Sequence, residues 1–422
     1  MEMLKKIKFI IFALTGTIVF FCPIYQDMVL IMYWTNIIKM ELASHAMVLI
    51  WGTVIASLIN VNKNFFKERK LDDWINIFFS FSTIISIGIV SKGSIFDTKV
   101  QEEFFSLIYT IIITTFVSGT GVFFLLRSGL IEFVAVLINP IMRKIFLLPG
   151  RATVDCLASF VASPSVGIYF TNVCYEESKY TQKEACAIAS NFSVVSLGFI
   201  GSLVAMCGIE RYYNRIVFIS FLMIILLAII TIRMYPLSNK EDIDKNKRET
   251  VYKDRTINNI LFLAVDAGMQ TSESLTLKEF YSFLKQTLFF VEKMVILMVF
   301  PLAFMLFITN YTSMMSLIGK PFESILIYLN VPDAQLVAPT ILLGFIEVAL
   351  PTMSIVGSEI SAQGAAFVVI LSIVQVIFMT ETGLVILSSS IPLSFRELLI
   401  LFLERTILTI LILPFFVNTF IG

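Results

Sequence analysis

Apolar runs near 20 residues recur from one end of the chain to the other, with polar residues gathered into short stretches between them. FIIFALTGTIVFFCPI, FSLIYTIIITTFVSGTGVFFLL and IVFISFLMIILLAIITI are examples. Each is about as long as a helix that crosses a hydrocarbon core of roughly 30 Å. Backbone in hydrocarbon must satisfy its own hydrogen bonds, and the runs lack the alternation of barrel strands, so each predicts a helix. Spans are expected near residues 8–25, 42–60, 74–91, 104–126, 185–208, 216–234, 286–309, 366–388 and 398–420. The predicted fold class is all-α: a polytopic membrane protein of about nine transmembrane helices.

Two segments break this pattern. Residues 151–175 hold Arg151, Asp155, Ser159, Ser163, Pro164, Ser165 and Gly167, and residues 336–365 hold Gly344, Glu347, Pro351, Thr352, Ser354 and Gly357. Both are too polar and too interrupted for a lipid-facing helix. Irregular backbone at membrane depth needs surrounding protein or a water-filled cavity. Each segment therefore predicts a re-entrant hairpin, the first turning at ASPSVG. The stretches INNILFLAVDAG and LKEFYSFLKQ place apolar residues at helical spacing in a polar region and predict surface-lying helices.

Lysine and arginine in short loops mark the cytoplasmic side. Lys5, Lys6 and Lys8 place the N-terminus there, ahead of a first helix that lacks a cleavage site and is expected to stay uncleaved. Lys63, Lys67, Arg69 and Lys70, then Arg127, Arg143 and Lys144, then Lys240, Lys245, Lys247 and Arg248 return to the same side. Punctuation recurs between the halves at nearly one offset: Pro140 with Pro321, Pro149 with Pro332, Pro164 with Pro351, and Gly198 with Gly383. With the charge-derived topology, this makes the halves inverted repeats. Inverted repeats with broken helices are the architecture of secondary transporters. The expected organisation is scaffold helices over 1–103, a first repeat over 104–210, a span and cytoplasmic linker over 211–285, a second repeat over 286–390, and a C-terminal helix over 391–422.

Composition adds little to the fold and much to the exclusions. Hydrophobic residues make up 57% and charged residues 15%, against about a quarter charged in soluble domains. The 31 basic and 31 acidic residues balance, so no field favours nucleic acid. The five cysteines lack paired ligand spacing, and His45 stands alone. No Walker A, H-E-x-x-H or G-x-S-x-G sequence is present. The chain is expected not to be an enzyme and to hold no cofactor, with Na⁺ as the one ion in question.

Candidate binding residues lie where polarity interrupts the apolar pattern. Asp155 and Glu347 are carboxylates in corresponding hairpins, and a carboxylate at that depth is costly unless paired, hydrated or protonated. Arg151, one turn before Asp155, offers a plain ion pair instead. The hairpin tips supply Ser163, Ser165, Thr352 and Ser354, and helix ends exposed there suit polar ligands or cations. Ser159 lies just before the first tip. The following spans carry Asn191, Ser193 and Ser196, then Gln375, Thr380 and Glu381, with Gly383 marking an expected unwinding point. Small residues for close packing and interhelical hydrogen bonds are the competing readings. Glu404 and Arg405 are expected to pair or snorkel at a membrane edge.

LPGRATVDCLASFVASPSVGIYFTNVCYEESKYTQKEACAIASNFSVVSLGF resembles the nucleoside-recognition (Gate) domain family, in its YjiH-type branch. SLIGKPFESILIYLNVPDAQLVAPTILLGFIEVALP, SIVQVIFMTETGLVIL and ERTILTILILP extend the resemblance over about residues 8–420. The resemblance implies a fold like that of the concentrative nucleoside transporters. Gate domains also occur in the B-type ferrous iron permease and in spore-maturation membrane proteins. The expected function is secondary transport of a small polar solute such as a nucleoside or nucleobase, coupled to Na⁺ or H⁺. The chain is placed in the bacterial cytoplasmic membrane, as a homo-oligomer or with a partner membrane subunit. The alternative is a non-catalytic Gate-type subunit with a sensory or sporulation-related role.

Overall fold

The computed structural model describes residues 9–421, apart from 12, 17, 20–22, 26–27, 64–70, 94, 128, 150–151, 162, 243–256, 273–276, 313 and 388. The described parts of residues 9–19 are helical, and a two-stranded antiparallel pairing follows, β1 (Pro23–Tyr25) with β2 (Met28–Val29). That five-residue ribbon is a minor addition to a fold that is otherwise helical, as the all-α expectation has it. Pro23 stands at the first position of its strand, where a missing N–H is tolerated.

The helices then run α1 (Leu30–Glu41), α2 (Ala46–Lys63), α3 (Leu71–Lys92), α4 (Thr98–Arg127) and α5 (Leu130–Ile145). Next come α6 (Ala152–Val161), α7 (Pro164–Glu176), α8 (Gln182–Asn191), α9 (Leu197–Met206), α10 (Tyr213–Thr231), α11 (Ile257–Ser272), α12 (Leu277–Tyr311) and α13 (Met314–Tyr328). The chain closes with the short α14 (Ala334–Val337) and α15 (Leu350–Met353), then α16 (Ala362–Gln375), α17 (Leu384–Leu387) and α18 (Phe395–Phe420).

Among the described residues, five helical stretches are long and apolar enough to cross a membrane: Thr98–Val117, Glu210–Thr231, Lys278–Ile308, Ala362–Leu387 and Phe395–Phe420. Leu30–Glu41 with Ala43–Ile59, bent by 59°, makes a sixth if counted as one span. These helices make the chain a multi-pass membrane protein.

Sequence signals explain where several elements begin. Thr181 caps α8 in a capping box with Glu184, and Ser394 caps α18 in another with Glu397. Each box satisfies backbone N–H groups that a helix start leaves without partners. Pro164 opens α7 at a position where its fixed φ helps and its missing N–H costs nothing.

The core lies around α16, whose residues from Gly364 to Gln375 are all buried. It packs against α18 and α10. On the other side α4 runs along α9, and Thr114 and Thr115 reach Ser202 at 3.1 and 3.0 Å. Such hydroxyl contacts join helices where apolar packing against lipid gives no preference.

Two predicted elements take a different form. The expected span at 185–208 is not continuous: α8 stops at Asn191, residues 192–196 are non-helical, and Ser196 caps α9. Asn191 and Ser196 favour helix ends because their side chains compete for backbone hydrogen bonds. The segment from Ala334 to Met353 is also more fragmented than a two-helix hairpin. It is built from α14, single 3₁₀ turns at Ala338–Thr340 and Leu343–Phe345, and α15.

Candidate functional site

The second broken helix organises the site. After Gln375 the chain leaves helical geometry, Val376 takes φ 62°, and a π-helical turn covers Met379–Gly383 before α17 resumes. A β-branched residue in the left-handed region is a strained conformation that needs outside support. Thr382 provides part of it: its hydroxyl accepts from the Phe378 amide at 2.8 Å and lies 3.0 Å from the Val376 carbonyl. The turn directs Thr380 and Glu381 toward the fragmented segment and the tip between α6 and α7.

A cleft forms where these three pieces meet. Its lining includes Ser163 and Pro164 from the first tip, Ser196 from the first break, and Glu347, Thr380 and Glu381 from the second half. The buried Glu347 accepts a hydrogen bond from the Thr380 hydroxyl, and its other oxygen lies 3.4 Å from the Ala349 amide. The Thr380 amide donates to Ile346 O at 3.2 Å, closing the same contact through the backbone. Glu381 accepts from the Ser165 hydroxyl and lies 3.4 Å from the Ser165 amide. The start of α7 is thus held by a carboxylate from the other half of the chain, where the helix dipole favours negative charge.

Two carboxylates and several hydroxyls line the cleft, and none of its described lining residues is basic. Oxygen donors of this kind suit a hard cation or a proton, and hydroxyl-rich solutes as well. The volume open to the centre of a water molecule is ≈ 30 Å³. One water needs roughly 10–15 Å³ on that measure. The cleft in this conformation therefore has room for a bare ion or a couple of waters.

Of the candidate residues, Ser163, Ser165, Ser196, Glu347, Thr380 and Glu381 come together at this cleft. Asn191 and Gln375 lie apart from it in buried interhelical contacts. Asn191 accepts from Thr231 at 2.6 Å, and Gln375 donates to Ile341 O and to Thr406, both at 2.9 Å. Ser159 and Ser193 are buried outside the lining. Ser354 bonds locally to Pro351 O at 2.7 Å, and Thr352 is buried with its hydroxyl unpartnered. Asp155 belongs to α6, but its side chain and all of Arg151 lie outside the described residues.

Sequence reasoning missed the apolar wall of the cleft, formed by Val195, Phe199, Met294, Met298, Val348 and Phe378. Nothing separates these from ordinary core positions in the sequence. It also misplaced Arg405. That residue is fully buried rather than at an edge, and its guanidinium faces Asn191 and the Val374 carbonyl instead of pairing with Glu404. Both lie on α18, but consecutive helical positions project about 100° apart, so neighbours in sequence do not face each other.

Comparison with known proteins places this geometry. Residues 77–210 match the family described as nucleoside recognition (Gate). The matched stretch runs from within α3 past the end of α9, so it includes the first tip, the first break and Ser196. A multi-pass helical membrane protein whose residues 77–210 are similar to Gate domains is what these findings define. An uncharacterized protein of Alkalihalophilus pseudofirmus is 33% identical over 305 residues, 70% of this chain and 65% of the relative's own length. No solved structure matches the chain.

Proposed function

We propose that this protein is a secondary transporter of a small polar solute, a nucleoside or nucleobase being the first class to try, driven by Na⁺ or H⁺. The observation that carries the reading is the cleft itself. Elements from both halves of the chain close around two carboxylates at breaks in otherwise apolar helices, which is how transporters of this architecture build a midplane site. Glu347 and Thr380 form the more enclosed side and are assigned to the coupling cation or proton. Glu381 and the Ser163–Ser165 tip form the side that opens to the solute.

The finer topology belongs to the same reading: about nine crossings with two re-entrant hairpins in inverted repeats, a cytoplasmic N-terminus and a bacterial cytoplasmic membrane. So do the YjiH-type branch, the likeness to concentrative nucleoside transporters, assembly as a homo-oligomer or with a partner membrane subunit, and the absence of catalytic chemistry. Na⁺, if it is the coupling ion, would take its oxygen ligands from Glu347, Thr380 and neighbouring backbone carbonyls.

The test is uptake into proteoliposomes under imposed Na⁺ or H⁺ gradients, with radiolabelled nucleosides, nucleobases and amino acids. Gradient-dependent accumulation of at least one class is the expected result. If no solute moves under either gradient while the protein is folded and inserted, the transporter reading fails and the Gate-type subunit reading replaces it.

A further inference from the structure

Arg405 lies on α18 with no exposed surface, and its guanidinium is spread over two different helix breaks. Nε donates to the Val374 carbonyl at 2.9 Å and Nη1 donates to Asn191 Oδ1 at 2.6 Å. Nη2 is buried and unpartnered, and Arg405 forms no ion pair with any described carboxylate. A charge so placed is expensive, so what it holds should matter.

What it holds is the end of each broken helix. In an unbroken α16 the Val374 carbonyl would receive the amide of Phe378. That amide instead bonds to Thr382, and Arg405 takes the carbonyl it leaves behind. Asn191 is the last residue of α8, and its side-chain oxygen receives both Arg405 and Thr231. The C-terminal end of a helix carries partial negative charge and attracts cations. The guanidinium therefore lies where two such ends converge, one from each half of the chain.

We propose that Arg405 is a built-in cation that fastens the break after Asn191 to the break after Gln375, so that the two unwound segments shift as one unit. It is a positioning residue: it touches neither Glu347 nor Glu381, but it fixes the end of the helix from which the Glu381-bearing turn departs. Its planar fork suits this task, since it reaches two acceptors in fixed directions, which a lysine ammonium does not. In transport, the consequence rests on the transporter reading; the fastening itself does not.

The test uses full-length protein in detergent and reads thermal unfolding, so a failure of the transport reading leaves it intact. Asn191→Asp keeps the shape and gives the uncompensated guanidinium a formal partner, a gain set against the loss of the bonds that Asn191 Nδ2 donates to Ala187 O at 3.1 Å and to Ser190 at 3.4 Å. Its Tm is expected to rise by about 2–4 °C. In an Arg405→Met background the same Asn191→Asp change would bury a lone carboxylate and is expected to lower Tm. A lower or unchanged Tm for Asn191→Asp alone overturns the proposal, as does a gain that survives in the Arg405→Met background. If Arg405→Met does not fold, the single Asn191→Asp variant decides. A second readout is rescue: Arg405→Ala should gain Tm from low-millimolar guanidinium but not from equal NaCl or urea, while the parent protein gains nothing. Equal responses of the two proteins would also refute the assignment.

Discussion

The two broken helices are alike in plan and opposite in chemistry. Each ends on an amide residue, Asn191 or Gln375, whose side chain is buried and held by a threonine on another helix, Thr231 or Thr406. Past that point they diverge. The first break is bridged by non-helical backbone and restarts on the Ser196 cap, so it offers a hydroxyl to the cleft. The second restarts through a π-helical turn that presents Thr380 and Glu381, and it faces Glu347 across the cleft. One half supplies neutral hydroxyls and the other supplies both carboxylates. Charge selectivity should therefore belong to the second half, while the first half closes over it through Ser165.

The largest expected effect removes that asymmetry. Glu347→Gln and Glu381→Gln should each cut gradient-driven uptake by about ten- to a hundredfold, the loss of a charged hydrogen bond worth roughly 1.5–3 kcal/mol. Because Gln keeps an acceptor oxygen for the Thr380 and Ser165 hydroxyls, any fall in Tm should be too small to account for the lost uptake. Removing the hydroxyls at the first half, in Ser163→Ala or Ser196→Ala, should cost clearly less uptake. Equal losses in the two sets would show that the charge difference between the halves does not set function.

A medium effect tests the packing behind the second break. A Cβ on Gly344 would collide with the Gln375 Oε1 atom, which is buried and cannot retreat without leaving Ile341 O and Thr406. Gly344→Ala should destabilise by roughly 1–3 kcal/mol, measured by thermal or denaturant unfolding. An unchanged Tm would mean that the Gln375 amide is not fixed as described.

The smallest effect concerns the outer end of α7. Ser390 donates from its hydroxyl to Glu176 at 2.6 Å and from its amide to Asn172 at 2.8 Å. These contacts are exposed. The Ser390 hydroxyl, with help from Asn172, holds the Glu176 carboxyl below its ordinary range. A carboxyl lowered on folding stabilises above its unfolded pKa and loses that contribution as pH falls through the folded one. Between pH 6 and 8 this contact should be constant. Ser390→Ala should leave stability there essentially unchanged, read from unfolding curves across that pH interval.

The sequence alone was enough to make this a multi-pass helical protein, because hydrocarbon leaves a chain no other way to satisfy its backbone. It also pointed to the polar interruptions, since Ser163, Ser165, Ser196, Glu347, Thr380 and Glu381 stand out against apolar neighbours. Which of these residues share a cleft was decided by tertiary structure. Residues about 216 positions apart, such as Ser165 and Glu381, meet only through packing of separate helices, and no local pattern encodes that meeting. The same holds for Arg405 and Asn191: in sequence the arginine looks like a snorkelling charge beside Glu404, and only helix rotation turns it inward to join two breaks. Periodicity reports how a segment sits relative to lipid; it does not say which buried faces oppose each other, because that depends on side-chain packing summed over the whole bundle.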